Sequence, residues 1–440
     1  MKKIFVSIMS LILLFSLAAC NSGQSSSGDG DSNSDSGNKD EKVEIRFAWW
    51  GDTKRHEIYN AIVDNFEKEY PNITVKREFG GWGDYWDKIA TQIAGGNAPD
   101  VFGMHQFYVA DYARRNALLK LDEYVESGVI NQDDFPEPIV DSGRVGSDLY
   151  MVAQGVTMTG YIYNSATIEE LGVEPPAFDW TWDDFKSKTL EIQEAIGDQD
   201  MFAVGDGSGG TFNNLFRYFV RERGKDLYTD DGQIGFEKQD VIDWWTMWDE
   251  LRKAGAVPDA ETGAEYENVP LEQNMFTTGR TVLTTIPVNQ MHLYQAQFDQ
   301  GEIEAVRIPT TAGGENGEFI EGAYLSIPAK SKHPEEAATF INYFVNAEEA
   351  LKIFKVEQGS PGSTKMVEVV KPLLEPAQQK ALDFIGKTVE VAERAPYAPV
   401  GGSEVDTLFK DSASAISFGQ MSIEEAADKF WTGANDILSK

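Results

Sequence analysis

The stretch over residues 43–52, VEIRFAWWGD, constrains the fold more than any other part of this chain. Its β-branched and aromatic residues are typical of a buried strand, and a Gly-Asp pair ends it. Helical spacing of apolar residues begins directly afterwards, at Thr53. Ligands bind at the carboxyl ends of strands in open α/β sheets, so two adjacent indoles stand where a site is expected. We interpret Trp49 as a core residue and Trp50 as a binding platform; burial of both rings in the core is the alternative.

Strands and helices alternate after this stretch. The spacing predicts helices over 53–70, over 84–94 with Asp84 as the cap, and over 107–115, and strands over 73–79 and 100–104. This β-α-β-α-β order predicts a parallel sheet. Two further strands are predicted over 149–153 and 158–163, joined through Gln154 and Gly155.

A second alternation begins at Thr181, which is expected to cap a helix. It continues with predicted strands over 202–204, 281–285 and 322–327, and with predicted helices over 211–223, 239–254, 334–345 and about 403–438, the last broken near Gly419. Trp244, Trp245 and Trp248 recur at helical spacing, which is typical of a core-facing stripe.

The N-terminus has the pattern of a secretory signal peptide over residues 1–19. Lys2 and Lys3 precede an apolar run over 4–14 that is too short to span a bilayer. The following Leu-Ala-Ala-Cys resembles the bacterial lipobox, which implies lipidation of Cys20; an ordinary signal peptide with an incidental cysteine is the alternative. Two acyl chains would anchor the protein stably. Because Cys20 is the sole cysteine, no intrachain disulfide is possible.

Residues 20–42 are predicted to form a lipidated, flexible tether. After the cysteine this segment is rich in Ser, Gly, Asp and Asn and lacks apolar side chains, so it cannot bury surface. A lipid, a tether and a globular body together predict a protein held at the extracellular side of the cell membrane.

The net charge of −34 argues against nucleic acid as a partner, because such a surface repels a phosphate backbone. Catalytic and metal signatures are also missing. The four histidines show no HxH or HExxH spacing, and no GxSxG elbow occurs. A glycosidase pair of carboxylates distant in sequence stays open. We therefore expect no cofactor, no metal site and no enzymatic activity.

Seven short motifs follow one another along the chain: WWG at 49–51, FEKEYPNI at 66–73, GGNAPDV at 95–101, YIYN at 161–164, TWDDF at 181–185, FTTGR at 276–280 and SIPA at 326–329. In this order they resemble the family 1, maltose-binding-protein-like extracellular solute-binding proteins of carbohydrate ABC importers. The resemblance implies an α/β, two-lobe, type II periplasmic-binding-protein-like fold with a ligand cleft between the lobes. It places lobe 1 at 43–155 and 326–372, and lobe 2 at 156–325 and 373–440. The implied partners of this monomer are an oligosaccharide and ABC permease subunits.

The same resemblance assigns candidate ligand-binding residues by position. They are Trp50, Asp52, Thr53 and Arg55 on the first binding loop, Trp82 in the predicted turn at 80–83, His105 and Gln106 after the third strand, Gln154 and Thr157 where the chain crosses lobes, Asn213 and Asn214 at a helix start, Asn289 after the FTTGR motif, and Gly401, Gly402, Ser403 and Glu404 on a late loop. The late aromatic pair of the family is not matched, which argues against a maltodextrin ligand.

The WWG opening near Arg55 resembles the subgroup that serves plant-polysaccharide and pectic fragments. Arg55 and Arg217 are placed where a guanidinium could receive a uronate carboxylate; bonding to a neutral hydroxyl or to an acidic neighbour is the alternative. Two other function classes remain open from the sequence. One is a membrane-tethered, extracellular polysaccharide-degrading enzyme, and the other is a binder of a non-sugar solute such as a peptide or polyamine.

Overall fold

The computed structural model describes residues 42–197, 199–209, 215–229, 231–266, 269–310, 318–394 and 397–439. The predicted signal peptide, Cys20, the tether up to residue 41, Asn213 and Asn214 lie outside the described residues.

The described strands fall into two main sheets and one short hairpin. They are β1 (Val43–Trp50), β2 (Ile73–Gly80), β3 (Val101–His105), β4 (Arg144–Val145), β5 (Asp148–Leu149), β6 (Val152–Thr157), β7 (Thr159–Asn164), β8 (Phe202–Val204), β9 (Thr281–Pro287), β10 (Ile303–Arg307), β11 (Phe319–Ser326) and β12 (Glu393–Arg394).

Helices flank these strands. They are α1 (Thr53–Glu69), α2 (Trp82–Ala94), α3 (Gln106–Arg114), α4 (Asp122–Glu126), α5 (Glu137–Asp141), α6 (Ser165–Leu171), α7 (Trp182–Ile196), α8 (Leu215–Glu222), α9 (Lys238–Lys253), α10 (Ala260–Glu265), α11 (Met291–Gln295), α12 (Pro334–Asn346), α13 (Glu348–Phe354), α14 (Thr364–Val370), α15 (Pro376–Thr388), α16 (Gly402–Ser417) and α17 (Ile423–Leu438), with 3-10 turns at Leu271–Gln273, Val288–Gln290 and Lys371–Leu373.

The first sheet is organised around β1, as the sequence predicts. β1 pairs in parallel with β2 from Val43–Ile73 onward and with β3 at Phe47–Val101, which confirms the parallel β-α-β-α-β unit. β11 then runs antiparallel to β3 and to β6. The carboxyl ends of β1 and β3 therefore lie at one edge, where Trp50 and His105 are the last strand residues.

The second sheet has the order β10-β7-β9-β8. The chain passes from the first sheet to the second between β6 and β7, through Met158. The predicted link through Gln154 and Gly155 is wrong, because both residues lie inside β6. Asp84 is not the cap of α2, since that helix begins two residues earlier and has Gly81 at its N-cap. The capping role of Thr181 is confirmed by a reciprocal pair of hydrogen bonds with Asp184.

Each sheet has its own aromatic core. Phe47 and Trp49 pack beneath α1 and α12 in the first core, and Trp49 is 1% exposed. The Trp244–Trp245–Trp248 stripe of α9 is buried in the second core, as its spacing predicts. The lobe boundaries stay predictions. Residues 321–325 of β11 pair within the first sheet.

Candidate functional site

A cleft of about 630 Å³ lies between two groups of elements. On one side are α3 and β11, which are attached to the first sheet, and on the other is the segment that leads into α16. Five predicted residues line it together: Gln106, Gly401, Gly402, Ser403 and Glu404. The wall opposite α3 is built by the segment 397–404, and one contact bridges the two sides. Arg114 Nη2 donates a hydrogen bond to the carbonyl oxygen of Ala398 over 3.0 Å.

Gly401 positions the late loop of this cleft. Its φ of +88° lies in the left-handed region, and a Cβ atom there would lie 2.8 Å from a side-chain carbon of Ile437. Glycine therefore lets the chain turn tightly against α17 and enter α16 at Gly402. As a result Ser403 and Glu404, in the first turn of α16, are exposed toward the cleft.

Trp50 is buried, with 6% of its surface exposed, which matches the alternative in which both rings lie in the core. Three rings from α2 cover it: those of Trp82, Tyr85 and Trp86, with centroids 5.1 to 5.6 Å away. Its other side lies against Gly103, where a Cβ atom would come within 2.8 Å of the indole. Trp50 is therefore a core residue, packed between α2 and β3.

Trp82 is the exposed member of this aromatic group. It is the first residue of α2, and 42% of its surface is accessible. Its ring lies perpendicular to that of His105, with centroids 5.4 Å apart, and its centroid is 6.2 Å from that of Tyr108. Tyr108 and the exposed Phe107 line the cleft, so Trp82 continues the aromatic surface of the cleft at its rim. The platform role predicted for Trp50 fits Trp82 better.

His105 and Gln106 connect the aromatic group to the cleft wall. His105 Nδ1 accepts a hydrogen bond from the backbone N–H of Phe107 over 3.3 Å. Burial lowers the pKa of His105 to about 4, so its imidazole is neutral near pH 7. The side-chain oxygen of Gln106 accepts from the backbone N–H of Gly322, also over 3.3 Å, and thereby holds the start of α3 against β11.

The remaining predicted residues of the first loop serve local structure. Asp52 caps α1 by accepting from the backbone N–H of Arg55 over 2.9 Å, and this bond lowers the pKa of Asp52. Thr53 is the exposed first residue of α1. Arg55 Nε lies 3.0 Å from a carboxylate oxygen of Glu357. This contact matches the alternative in which Arg55 bonds an acidic neighbour.

Gln154, Thr157 and Asn289 lie near the crossing between sheets and do not line the 630 Å³ cleft themselves, although Thr157 pairs with the cleft residue Glu321 across the first sheet. Thr157 Oγ1 accepts from the backbone N–H of Asn289 over 3.3 Å. The side-chain oxygens of Gln154 and Asn289 are buried and have no hydrogen-bond partner within the described part of the chain. They are acceptors that a hydroxyl group could satisfy.

Arg217 lies at the inner end of the cleft and is 5% exposed. Its guanidinium stacks on Phe319, 3.9 Å from the ring centroid, and its Nε lies 3.4 Å from Asp226. The second arginine proposed to receive a uronate therefore also has an acidic neighbour.

Several cleft residues were missed from the sequence: Phe107, Tyr108, Phe319, Glu321, Tyr397, Val400 and Asp406. The clearest overlooked signal is the FIE triplet before GAYLSI, because its aromatic and β-branched residues, Phe319 and Ile320, favour a strand and extend β11 backward to Phe319. Glu321 on this extension is half-buried, and the nearest side-chain donor to it is the hydroxyl of Thr159, at 3.5 Å. Burial raises the pKa of Glu321 to about 7, against opposing effects of Arg217 and Thr159.

Comparison with known proteins gives one consistent result. The family described as "Bacterial extracellular solute-binding protein" matches residues 50–351. The Multiple sugar-binding protein of Streptococcus mutans is 23% identical over 371 residues, covering 80% of each chain.

Two solved structures are similar over almost their whole length. A family 1 extracellular solute-binding protein from Alicyclobacillus acidocaldarius has a TM-score of 0.77 at 26% identity, covering 91% of this chain and 99% of its own. A periplasmic oligogalacturonide-binding protein from Yersinia enterocolitica has a TM-score of 0.75 at 21% identity, covering 90% and 99%. These similarities confirm the predicted two-lobe α/β fold. The chain belongs to the family of bacterial extracellular solute-binding proteins.

Proposed function

We propose that this protein captures an oligosaccharide outside the cell, as a monomer, and delivers it to the permease subunits of an ABC importer. The observation that carries the proposal is the cleft shared by the two halves of the fold, with exposed rings and hydrogen-bonding side chains on its walls. Family membership supports a binding role. The name of the Streptococcus mutans relative supports a sugar as the ligand.

The chemistry of the cleft suits a sugar. The face of a pyranose ring is apolar and its rim carries hydroxyl groups, so it needs flat rings together with paired donors and acceptors. Phe107 and Tyr108 supply rings along one wall, and the exposed ring of Trp82 lies beside Tyr108, with the two centroids 6.2 Å apart. Gln106 and Ser403 supply polar groups on opposite walls. The volume of about 630 Å³ lies within the range usual for small-ligand sites.

A pectic ligand is the narrower version of this proposal. The Yersinia enterocolitica neighbour, which has also been solved with digalacturonic acid, supports it. The acidic neighbours of Arg55 and Arg217 weigh against it, because neither guanidinium is left to face a uronate alone.

Calorimetric titration followed by analysis of the recovered ligand tests the proposal. The purified protein is titrated with oligosaccharides, peptides and polyamines, and each mixture is then analysed by mass spectrometry. We expect one-to-one binding of an oligosaccharide that is recovered unaltered. Release of shorter sugars over time would support the tethered polysaccharide-degrading enzyme instead. Binding confined to peptides or polyamines would contradict the choice of a sugar.

Lipidation at Cys20 is a further part of the proposal. Cys20→Ala should move the protein from the membrane fraction into the medium, because the tether that follows has no apolar side chain to hold it. Among the described residues, no helix is both long and apolar enough to cross a bilayer. Fractionation of expressing cells measures the effect, with Ser26→Ala in the same tether as the control that stays bound. Equal membrane retention of both variants would refute the lipid anchor.

A further inference from the structure

The charges in the cleft bear on which sugars it accepts. Its lining includes the carboxylates of Asp111, Glu321, Glu404 and Asp406 and the guanidinium groups of Arg115 and Arg217. Acidic groups therefore outnumber basic ones at the site itself, in a protein whose net charge is already −34. An anionic ligand would enter against both the local and the overall field.

Glu321 is the one of these four carboxylates that lies on a strand, β11. Phe319 on the same strand also lines the cleft, and the next residue, Gly322, donates its backbone N–H to Gln106. Within the described residues no cationic group comes within 4 Å of its carboxylate, and the Thr159 hydroxyl at 3.5 Å is a distant donor. The guanidinium of Arg217 stacks on Phe319 and faces Asp226, so it attracts Glu321 through space without forming an ion pair with it.

A half-buried carboxylate in this position is costly unless a partner compensates it. Gln106 on the cleft wall accepts a backbone N–H from Gly322, whereas Glu321 has no ion-pair partner within 4 Å among the described residues. A ligand ammonium group would form a charge-assisted hydrogen bond with this carboxylate, which is stronger than a bond between neutral groups. Carboxylates on the ligand would instead meet Glu321 as a like charge.

We propose that the ligand is an oligosaccharide containing unacetylated amino sugars, with the ammonium group of one residue bound by Glu321. This inference rests on the proposed function and narrows it to a substrate class. It sets the protein apart from binders of oligogalacturonides, whose ligands carry the opposite charge. The aromatic surface of Trp82, Phe107 and Tyr108 is expected to cover the apolar face of the sugar ring.

Three tetrasaccharides of different charge test the proposal by calorimetry: a glucosamine tetramer, cellotetraose and tetragalacturonate. We expect the wild-type protein to bind the glucosamine tetramer about 10- to 100-fold more tightly than cellotetraose, as for one hydrogen bond to a charged group. Tetragalacturonate should bind least. Glu321→Gln should abolish the preference for the glucosamine tetramer while cellotetraose binding persists, which also reports that the variant folds. Glu348→Gln, on the exposed face of α13, is the matched control and should keep the preference.

The outcomes separate this inference from the proposed function. Three results would each overturn the amino-sugar assignment: tightest binding of tetragalacturonate, equal binding of the glucosamine tetramer and cellotetraose, or an unchanged preference in Glu321→Gln. None of them would contradict the capture of an oligosaccharide. Failure of every oligosaccharide in this set and in the wider panel would overturn the capture of sugars altogether.

Discussion

Replacing Trp50 with alanine should lower the free energy of unfolding by about 3–5 kcal/mol, the usual cost of a large aromatic cavity. The indole is 6% exposed and lies between three rings of α2 and the backbone at Gly103, so its removal leaves a hole that rigid neighbours cannot fill. Denaturant titration of the variant and the wild-type protein measures the change.

Trp82→Ala is the matched control for this stability measurement, because it removes the same side chain from the adjacent, exposed position. Its free energy of unfolding should change by less than about 1 kcal/mol. A Trp50→Ala variant that is no less stable than Trp82→Ala would show that Trp50 is not a core residue, and would favour its interpretation as a binding platform.

Trp82→Ala should weaken oligosaccharide binding by about 30- to 150-fold. The expected loss corresponds to about 2–3 kcal/mol, the value of burying one large side chain against the ligand. The ring is 42% exposed and packs perpendicular to the His105 ring, so we expect it to cover a sugar face without rearrangement. Calorimetry with the ligand identified in the panel measures the affinity.

Phe418→Ala provides the control for binding. Phe418 is an equally exposed aromatic, at 46%, but it lies at the far end of α16 from Gly402. Its removal should leave affinity within about twofold, since surface substitutions away from a site have small effects. Equal affinity of Trp82→Ala and Phe418→Ala would exclude Trp82 from the site.

Local signals predicted much of the fold. The β-branched and aromatic run of β1 and the Thr181 cap of α7 are encoded within a few residues, and both are found where the sequence predicts them. Gly155 misled the prediction because glycine usually ends a strand. Here it lies inside β6, where a Cβ atom would come within 2.7 Å of the Gln358 backbone oxygen. Because Gly155 has no side chain, the backbone at Gln358, about 200 residues later in the chain, can pack closely against it.

The site was harder to predict because its geometry depends on distant partners. Trp50 is buried only because α2 brings three rings over it, and no property of the WWG motif reveals that cover. Arg55 is paired with Glu357, which is 302 positions away in the chain. By contrast, Gln106 and the segment 401–404, which begin helices in the sequence pattern, do line the cleft. Their role toward a ligand stays a prediction.

The central claim is that two lobes close on an oligosaccharide, and small-angle X-ray scattering tests it most directly. A ligand that bridges both walls of the cleft stabilises the closed arrangement, because only differential affinity can shift such an equilibrium. We predict that the radius of gyration falls as the oligosaccharide selected by calorimetry is added and levels off at one equivalent. A radius of gyration that stays the same at saturating ligand would contradict the account.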